Sequence, residues 1–479
     1  MERSIRRKWI ALAMSLAALS GCTNPDVDSA EDPLGADWDI VVVGGGLMGS
    51  STAWQLARAG QRVLLLEKQA AVYSQGSSFG DARIARSLGP PGDMWSYMHN
   101  RTVSEAEQLI AFLRDHGDDA AMTDIYSTSP VNYVRNEGRL EGYAYLPDQP
   151  DEYEIATTPE EGVARFGLAI PSDVFVVREY KEHSGTINPS ALIGLLHRAI
   201  GLAGGHVEYG REVTELGRTD TGYELLIRTD GEEAGHRLVA PKVVSAAGPY
   251  TGPLLSEIAP EFDELISPER VFLAFYEIAP DFWEGLSTEQ QGRLRDLFPA
   301  INSTVATRDG TNFSMIERDT ERGTPILKIG GHFQRSEIED LDAVWAQELS
   351  AEELEWASSS LLRHLSLLDL ELTSDHLLLD SGYSCVYSLT ATEVPYVTHA
   401  LRPDESVDPN LVIVAGLSGV GAKGALAYGV IAADLVLDRT EASAEYVAAR
   451  AAFGLERYRN DRTSLLQSPG AQAVGSGAR

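Results

Sequence analysis

The run Asp39-Ile40-Val41-Val42-Val43, followed at once by Gly44-Gly45-Gly46-Leu47-Met48-Gly49, constrains this chain more than any other stretch. Consecutive β-branched apolar residues read as a parallel strand buried on both faces. A helical pattern then runs from Leu47 to Ala59, Gly60 closes it, and Arg62 to Leu66 forms a second strand ending in Glu67. Each glycine has a physical duty: Gly44 permits the tight turn, Gly46 lets a pyrophosphate approach the backbone, and Gly49 allows helix and strand to pack closely. The first helical amides, at Leu47 and Met48, face the anion. Glu67 would accept hydrogen bonds from ribose hydroxyls, and Lys68 follows it as a further candidate contact. The βαβ unit predicts a bound dinucleotide and leaves FAD and NAD both open.

Upstream, Arg3, Arg6, Arg7 and Lys8 form a charged head before an apolar run from Trp9 to Leu19 that is too short to cross a membrane. The pattern is that of a signal peptide. It ends in Leu19-Ser20-Gly21-Cys22, which resembles the lipobox of bacterial lipoproteins and assigns a lipid to the Cys22 thiol. Ser4 to Ile10 also resembles a twin-arginine export signal with its serine one place early, so the export route stays open. Residues 1–22 are therefore expected to be a lipoprotein signal peptide and 23–36 an acidic tether. The chain should reach the bacterial cell envelope, anchored to a membrane by lipid on the periplasmic or surface side.

Composition narrows the classes further. With 479 residues, 43% of them hydrophobic, the chain can bury a core large enough for two intertwined domains. Its 39 basic against 71 acidic residues give a net charge of −32, which repels phosphate backbones and sets nucleic acid aside as a partner. Of the two cysteines, Cys22 is given to lipid, so Cys385 has no disulfide partner in the chain. From the residues alone it reads as a small buried hydrophobe. Neither cysteine has a cysteine or histidine at ligand spacing, so no metal site is expected. The Gly76 to Gly80 match to a hydrolase elbow does not lie between a strand and a helix, which argues against a hydrolase.

Five further segments, in order, carry a family resemblance. Gly76-Ser77-Ser78-Phe79-Gly80-Asp81-Ala82-Arg83-Ile84-Ala85-Arg86 resembles the GSSHGxTRIIR element of the monomeric sarcosine oxidase and N-methyltryptophan oxidase group, within the D-amino-acid-oxidase-like flavoproteins. Val243 to Thr251 is similar to that group's AAGxW/YT turn, and Leu327-Lys328-Ile329-Gly330-Gly331-His332 to its LKIGxH. Cys385-Val386-Tyr387-Ser388 resembles CxYT, and Gly416 to Lys423 resembles GFSGHGFK. Phe79, Ala82 and Val420 depart from the pattern, replacing a histidine, a threonine and a histidine. The stretches 117–166 and 259–323 match poorly, and specificity is expected there.

The resemblance implies FAD as cofactor. It adds Ser77, Ser78, Ala82, Arg83, Val213, Ala247, Gly248, Gly419 and Gly421 to the cofactor contacts, with Arg83 covering the ring and the Val213 backbone near the adenine. It also implies that Cys385 forms a thioether to the flavin, against the inert reading above. Lys328 and His332, four residues apart on a strand, can share one face. By resemblance Lys328 serves the reaction with oxygen and His332 touches substrate, although a strand lysine can also be an edge guard. Arg86 and Lys423 are the candidates for a substrate carboxylate, with Lys423 also near the cofactor, and Tyr387 donates to the same carboxylate.

The expected fold is α/β: a discontinuous Rossmann-type FAD-binding domain (37–118, 184–255 and 380–445) and an α+β substrate domain (119–183 and 256–379) with a large mixed or antiparallel sheet. Val41, Leu64, Val244 and Ile413 mark strands of the FAD sheet, Ala425 to Leu437 the last helix, and 459–479 a disordered tail. The expected activity is oxidation of a secondary or cyclic amine or amino acid: hydride to the flavin, imine hydrolysis, then reoxidation by O2 to H2O2. The alternative is a membrane-anchored amine dehydrogenase passing electrons to a quinone or other carrier. The partners are thus the small amine, O2 or an electron acceptor, and the membrane; the chain is expected to be a monomer.

Overall fold

The buried strand Ile40–Val43 lies at the centre of a six-stranded sheet, with Val63–Glu67 on one side and Lys242–Ser245 on the other. The order across the sheet is Tyr396–Leu401, Val407–Ala415, Lys242–Ser245, Ile40–Val43, Val63–Glu67 and His206–Tyr209. All neighbours are parallel except the antiparallel edge pair Tyr396–Leu401 and Val407–Ala415. Val41 pairs with both Leu64 and Val243, and Ile413 with Ser245, so the four marked residues stand on four strands of this sheet. The computed structural model describes residues 33–467 apart from 71–75, 91, 150, 230–234, 298–299, 306–310, 334–335 and 339. Cys22, the signal peptide and most of the tether thus lie outside the described residues, as does 468–479.

Two units are distinguished, Met1–Ala36 and Asp37–Arg479; in the first only 33–36 are described, with a 3-10 turn at Pro33–Gly35. Among the described residues, no helix is long and apolar enough to cross a membrane.

Helices Leu47–Arg58 and Ala425–Val436 pack against each other and are buried along nearly their whole length. Gly429 makes this possible, since a Cβ there would run into Ser51. Across the body lies a nine-stranded mixed sheet, in which Ala300–Ser303 runs parallel to Val131–Asn136 and the other pairs are antiparallel. Its apolar side packs on helix Ala351–Ser366, capped by Ser350 with Glu353 in a reciprocal capping box.

Two expected boundaries move. The strand Leu377–Leu389 pairs with Ser267–Ile278 along its whole length, so residues 380–389 belong to the large sheet and not to the FAD sheet. The physical reason is an unbroken ladder with a single bulge near Phe275. The last helix is not Ala425–Val436 either: Ala444–Phe453 and Leu455–Gln467 follow it. Residues 459–467, expected as disordered tail, are helical. Tyr458 is fully buried there, and Asp461 and Arg462 tie the helix to Tyr396 and Glu261.

Candidate functional site

The glycine turn is held by contacts that tolerate no side chain. A Cβ on Gly44, whose φ is 102°, would overlap the Ala246 carbonyl, and one on Gly49 would overlap the Gly44 carbonyl. The helix beginning at Leu47 has Gly46 as N-cap with no side-chain bond from the cap residue, and Gly46, Leu47 and Met48 turn its positive end to the cavity described next. Gly45 donates its amide to Glu67 Oε2 at 2.7 Å and Gln69 donates to Oε1 at 2.8 Å, which fixes the carboxylate. Burial pushes Glu67 above the usual carboxylate range, against these amides.

From this turn a continuous cavity of about 660 Å³ runs to the large sheet. Such a volume falls within the range of about 300–1,000 Å³ common for ligand sites. Gly44, Gly46, Leu47, Met48, Glu67, Lys68, Ser77, Ser78, Arg83, Val213, Ala247, Gly248, Gly419 and Gly421 all line it. Ser78 accepts from the Leu47 amide at 3.2 Å, and Lys68 sits 3.7 Å from the Tyr250 ring centroid. Two cofactor candidates are not on the wall: Gly49 packs the helix against the turn, and Ala82 offers its carbonyl to Arg83 and Lys328. The glycine cradle, the helix N-terminus and the fixed Glu67 fit the pyrophosphate and ribose of FAD.

At the other end, Cys385 and Tyr387 alternate along one strand and both reach the cavity. Cys385 is 4% exposed, its Sγ 3.7 Å from Ser77 Oγ, and burial pushes the thiol up although Arg83 lies near. The His332 ring meets Tyr387 edge-on at 5.9 Å. Arg86 packs on the Tyr133 ring at 5.6 Å and Lys423 on the Trp95 ring at 5.0 Å, and both cations line the cavity. Burial, with Arg86 adding to it, holds Lys423 well below its ordinary value, so its charged form is disfavoured unless an anion stands beside it.

The expectation that Lys328 and His332 share a face of the site is not met. His332 lies just past the strand Pro325–Gly331 and lines the cavity, whereas Lys328 is fully buried and off its wall. The reason is electrostatic: its ammonium donates to the Ala82 carbonyl and to the Glu317 carboxylate. Arg83 stands between, lining the cavity while donating to Ala82 and Phe79. Phe79 itself is not on the wall and packs against Tyr383.

Sequence reasoning missed Glu317, Asn302, Phe272 and Phe313, of which the last three line the cavity. All four fall in the poorly matching stretch 259–323, which signalled the place but not the residues.

Geometry of this kind, a dinucleotide cradle continuous with a chamber on a second sheet that Arg86 and Lys423 line, is that of a dinucleotide-dependent oxidoreductase, and the family match makes the dinucleotide FAD. The chain belongs to the FAD dependent oxidoreductase family, whose match spans residues 39–435. It is 25% identical over 430 residues to a probable sarcosine oxidase of Arabidopsis thaliana, covering 84% of this chain and 88% of that protein. It is 24% identical over 405 residues to an N-methyl-L-tryptophan oxidase of Yersinia pestis, covering 84% and 96%. Among solved structures, NikD, an unusual amino acid oxidase essential for nikkomycin biosynthesis, superposes with a TM-score of 0.63 at 22% identity, covering 85% of this chain and 96% of NikD. That last likeness concerns the fold.

Proposed function

We propose that this protein is an FAD-dependent oxidase of a secondary or cyclic amine or amino acid. The observation that carries the reading is the placement of Arg86 and Lys423 on the wall of the same cavity as the nucleotide cradle. A guanidinium and a partly desolvated ammonium there suit a carboxylate, and they orient the adjacent amine carbon. FAD held by the glycine turn and Glu67 would supply the two-electron acceptor for a hydride from that carbon, water would hydrolyse the imine, and O2 would take up the two electrons as H2O2. Tyr387 and His332, in edge-on contact on the same wall, would flank the substrate. Lys328, paired with Glu317 behind Arg83 and Ala82, is the group assigned to the oxygen step.

The two named relatives support the substrate class. We further propose that Cys385 tethers the flavin, that the chain acts as a monomer, and that it is exported and lipid-anchored through Cys22. The deciding experiment is a peroxide-coupled screen of N-methyl and cyclic amino acids with purified protein. Peroxide released in air supports the oxidase. Flavin reduction without peroxide, rescued by a quinone analogue, replaces it with the dehydrogenase. Cys22→Ser should release the protein from membranes, and unchanged membrane fractionation removes the anchor.

A further inference from the structure

Asn302 lies on the strand Ala300–Ser303, beside Tyr133 of the parallel strand Val131–Asn136. It is 5% exposed and lines the cavity. Behind it sits Arg135, 6% exposed, whose Nη1 donates to the Asn302 carbonyl at 2.8 Å and whose Nη2 donates to Oδ1 at 2.7 Å. Arg135 Nε is spent on the Tyr143 hydroxyl at 2.9 Å, so the fork cannot swing. A guanidinium only donates, so the amide oxygen must face it and the NH2 group is left for the cavity. Among the described residues no carboxylate pairs with Arg135, and its charge reaches the chamber through this amide. Arg86 and Arg135 both pack on the Tyr133 ring, at 5.6 and 5.5 Å. The Asn302 donor therefore belongs to the same end of the cavity as the proposed carboxylate seat.

A fixed amide donor is a poor wall for an aliphatic group, because covering it without an acceptor strips its water and returns nothing. We propose that the substrate carries a second hydrogen-bond-accepting group, a side-chain carboxylate or amide, which the Asn302 NH2 group receives while Arg86 and Lys423 hold the α-carboxylate. This rests on the amino-acid reading above and narrows it to acidic or amide-bearing N-substituted amino acids. Sites built to pair a polar substrate group reject analogues lacking it far more strongly than apolar pockets reject an added methylene.

The test compares N-methyl-DL-glutamate with N-methyl-DL-norvaline on the purified FAD-loaded protein. The expected kcat/KM preference is about tenfold or more for the glutamate, lost in Asn302→Leu and reversed in Asn302→Asp. A parent enzyme that prefers norvaline, or a preference unchanged in a folded Asn302→Leu, overturns the proposal. A binding arm needs no turnover and no variant: glutarate should raise the melting temperature of the parent more than pentanoate does, and equal shifts overturn the proposal. If no amine reduces the flavin, the oxidase reading fails, and the glutarate comparison still decides the acceptor site.

Discussion

Glu317 is the residue whose place explains Lys328. The ladder between Asn312–Asp319 and Pro325–Gly331 shifts register between Ile316 and Arg318, so Glu317 is an extra residue in a bulge. A bulge re-aims a side chain that strict alternation would send elsewhere; here the carboxylate meets Lys328. Burial and the nearby Arg83 pull the Lys328 ammonium down to about 7, against the pull of Glu317. Burial pushes Glu317 up, but Lys328 and Arg83 outweigh it and hold the carboxyl below its usual range. Removing one partner of a buried pair strands the other charge. Glu317→Gln should therefore cost about 3–5 kcal/mol in urea unfolding, with most of it restored in the double variant with Lys328→Met. A single variant as stable as the parent would contradict the pairing. In stopped-flow work Lys328→Met should slow reoxidation by O2 far more than reduction by substrate; equal slowing counts against its assignment. For Cys385, acid-precipitated protein should stay yellow, and FAD found wholly in the supernatant removes the thioether. Cys385, Tyr387, Arg86 and Lys423 were legible because the motifs that carry them are short and local. Glu317 and the Arg135–Asn302 fork were not, since the first depends on a bulge within a hairpin and the second on a register between strands distant in sequence.

At the scale of elements, the βαβ unit was readable from period and punctuation alone, and its strands pair as the apolar runs suggested. The helix Leu455–Gln467 shows where such reading stops. Its apolar stripe is narrow, with Tyr458 fully buried among polar neighbours, and a mostly polar helix resembles a tail in sequence. What holds it is specific: Tyr396 donates to Asp461 at 2.6 Å, Arg462 meets Glu261 at 3.1 Å, and Arg457 packs on Tyr396 at 4.2 Å. Ending the chain at Gly454 should expose the Tyr396 edge of the sheet and lower the urea midpoint markedly. A truncated protein with an unchanged midpoint would show that the helix is decorative. Residues 380–389 were misassigned for a related reason, because a strand's sheet membership is set by its partner and not by its own composition.

The whole molecule carries a pH dependence from imidazoles that folding keeps neutral. Burial lowers His99 to about 3, His197 to about 4 and His364 to about 3. His364 shows why: its Nδ1 lies 2.6 Å from Ser314 Oγ and its Nε2 3.0 Å from Asn312 Oδ1, a pair of bonds suited to one neutral tautomer. Each folded pKa lies below the unfolded value of about 6.5, so the unfolded chain binds more protons in that window. Stability is full above about 6.5 and falls as pH drops toward the folded values, by up to about 1.4 kcal/mol per pH unit for each imidazole. Urea titrations between pH 7.5 and 5 should show this slope, and His364→Gln should make it shallower by about one proton. A slope unaltered in that variant would remove His364 from the account.

The six-stranded sheet has a consequence for how the protein is made. Its strand Lys242–Ser245 is flanked by Ile40–Val43 and by Val407–Ala415, segments from opposite ends of the body. A ribosome must release residues 407–415 before this seam can shut. Until then Val243 and Val244 stand on an open parallel edge, the kind of surface that invites pairing with other nascent chains. A message truncated before residue 407 should accordingly yield an aggregating product, not a smaller folded one, and a soluble truncated protein would contradict this.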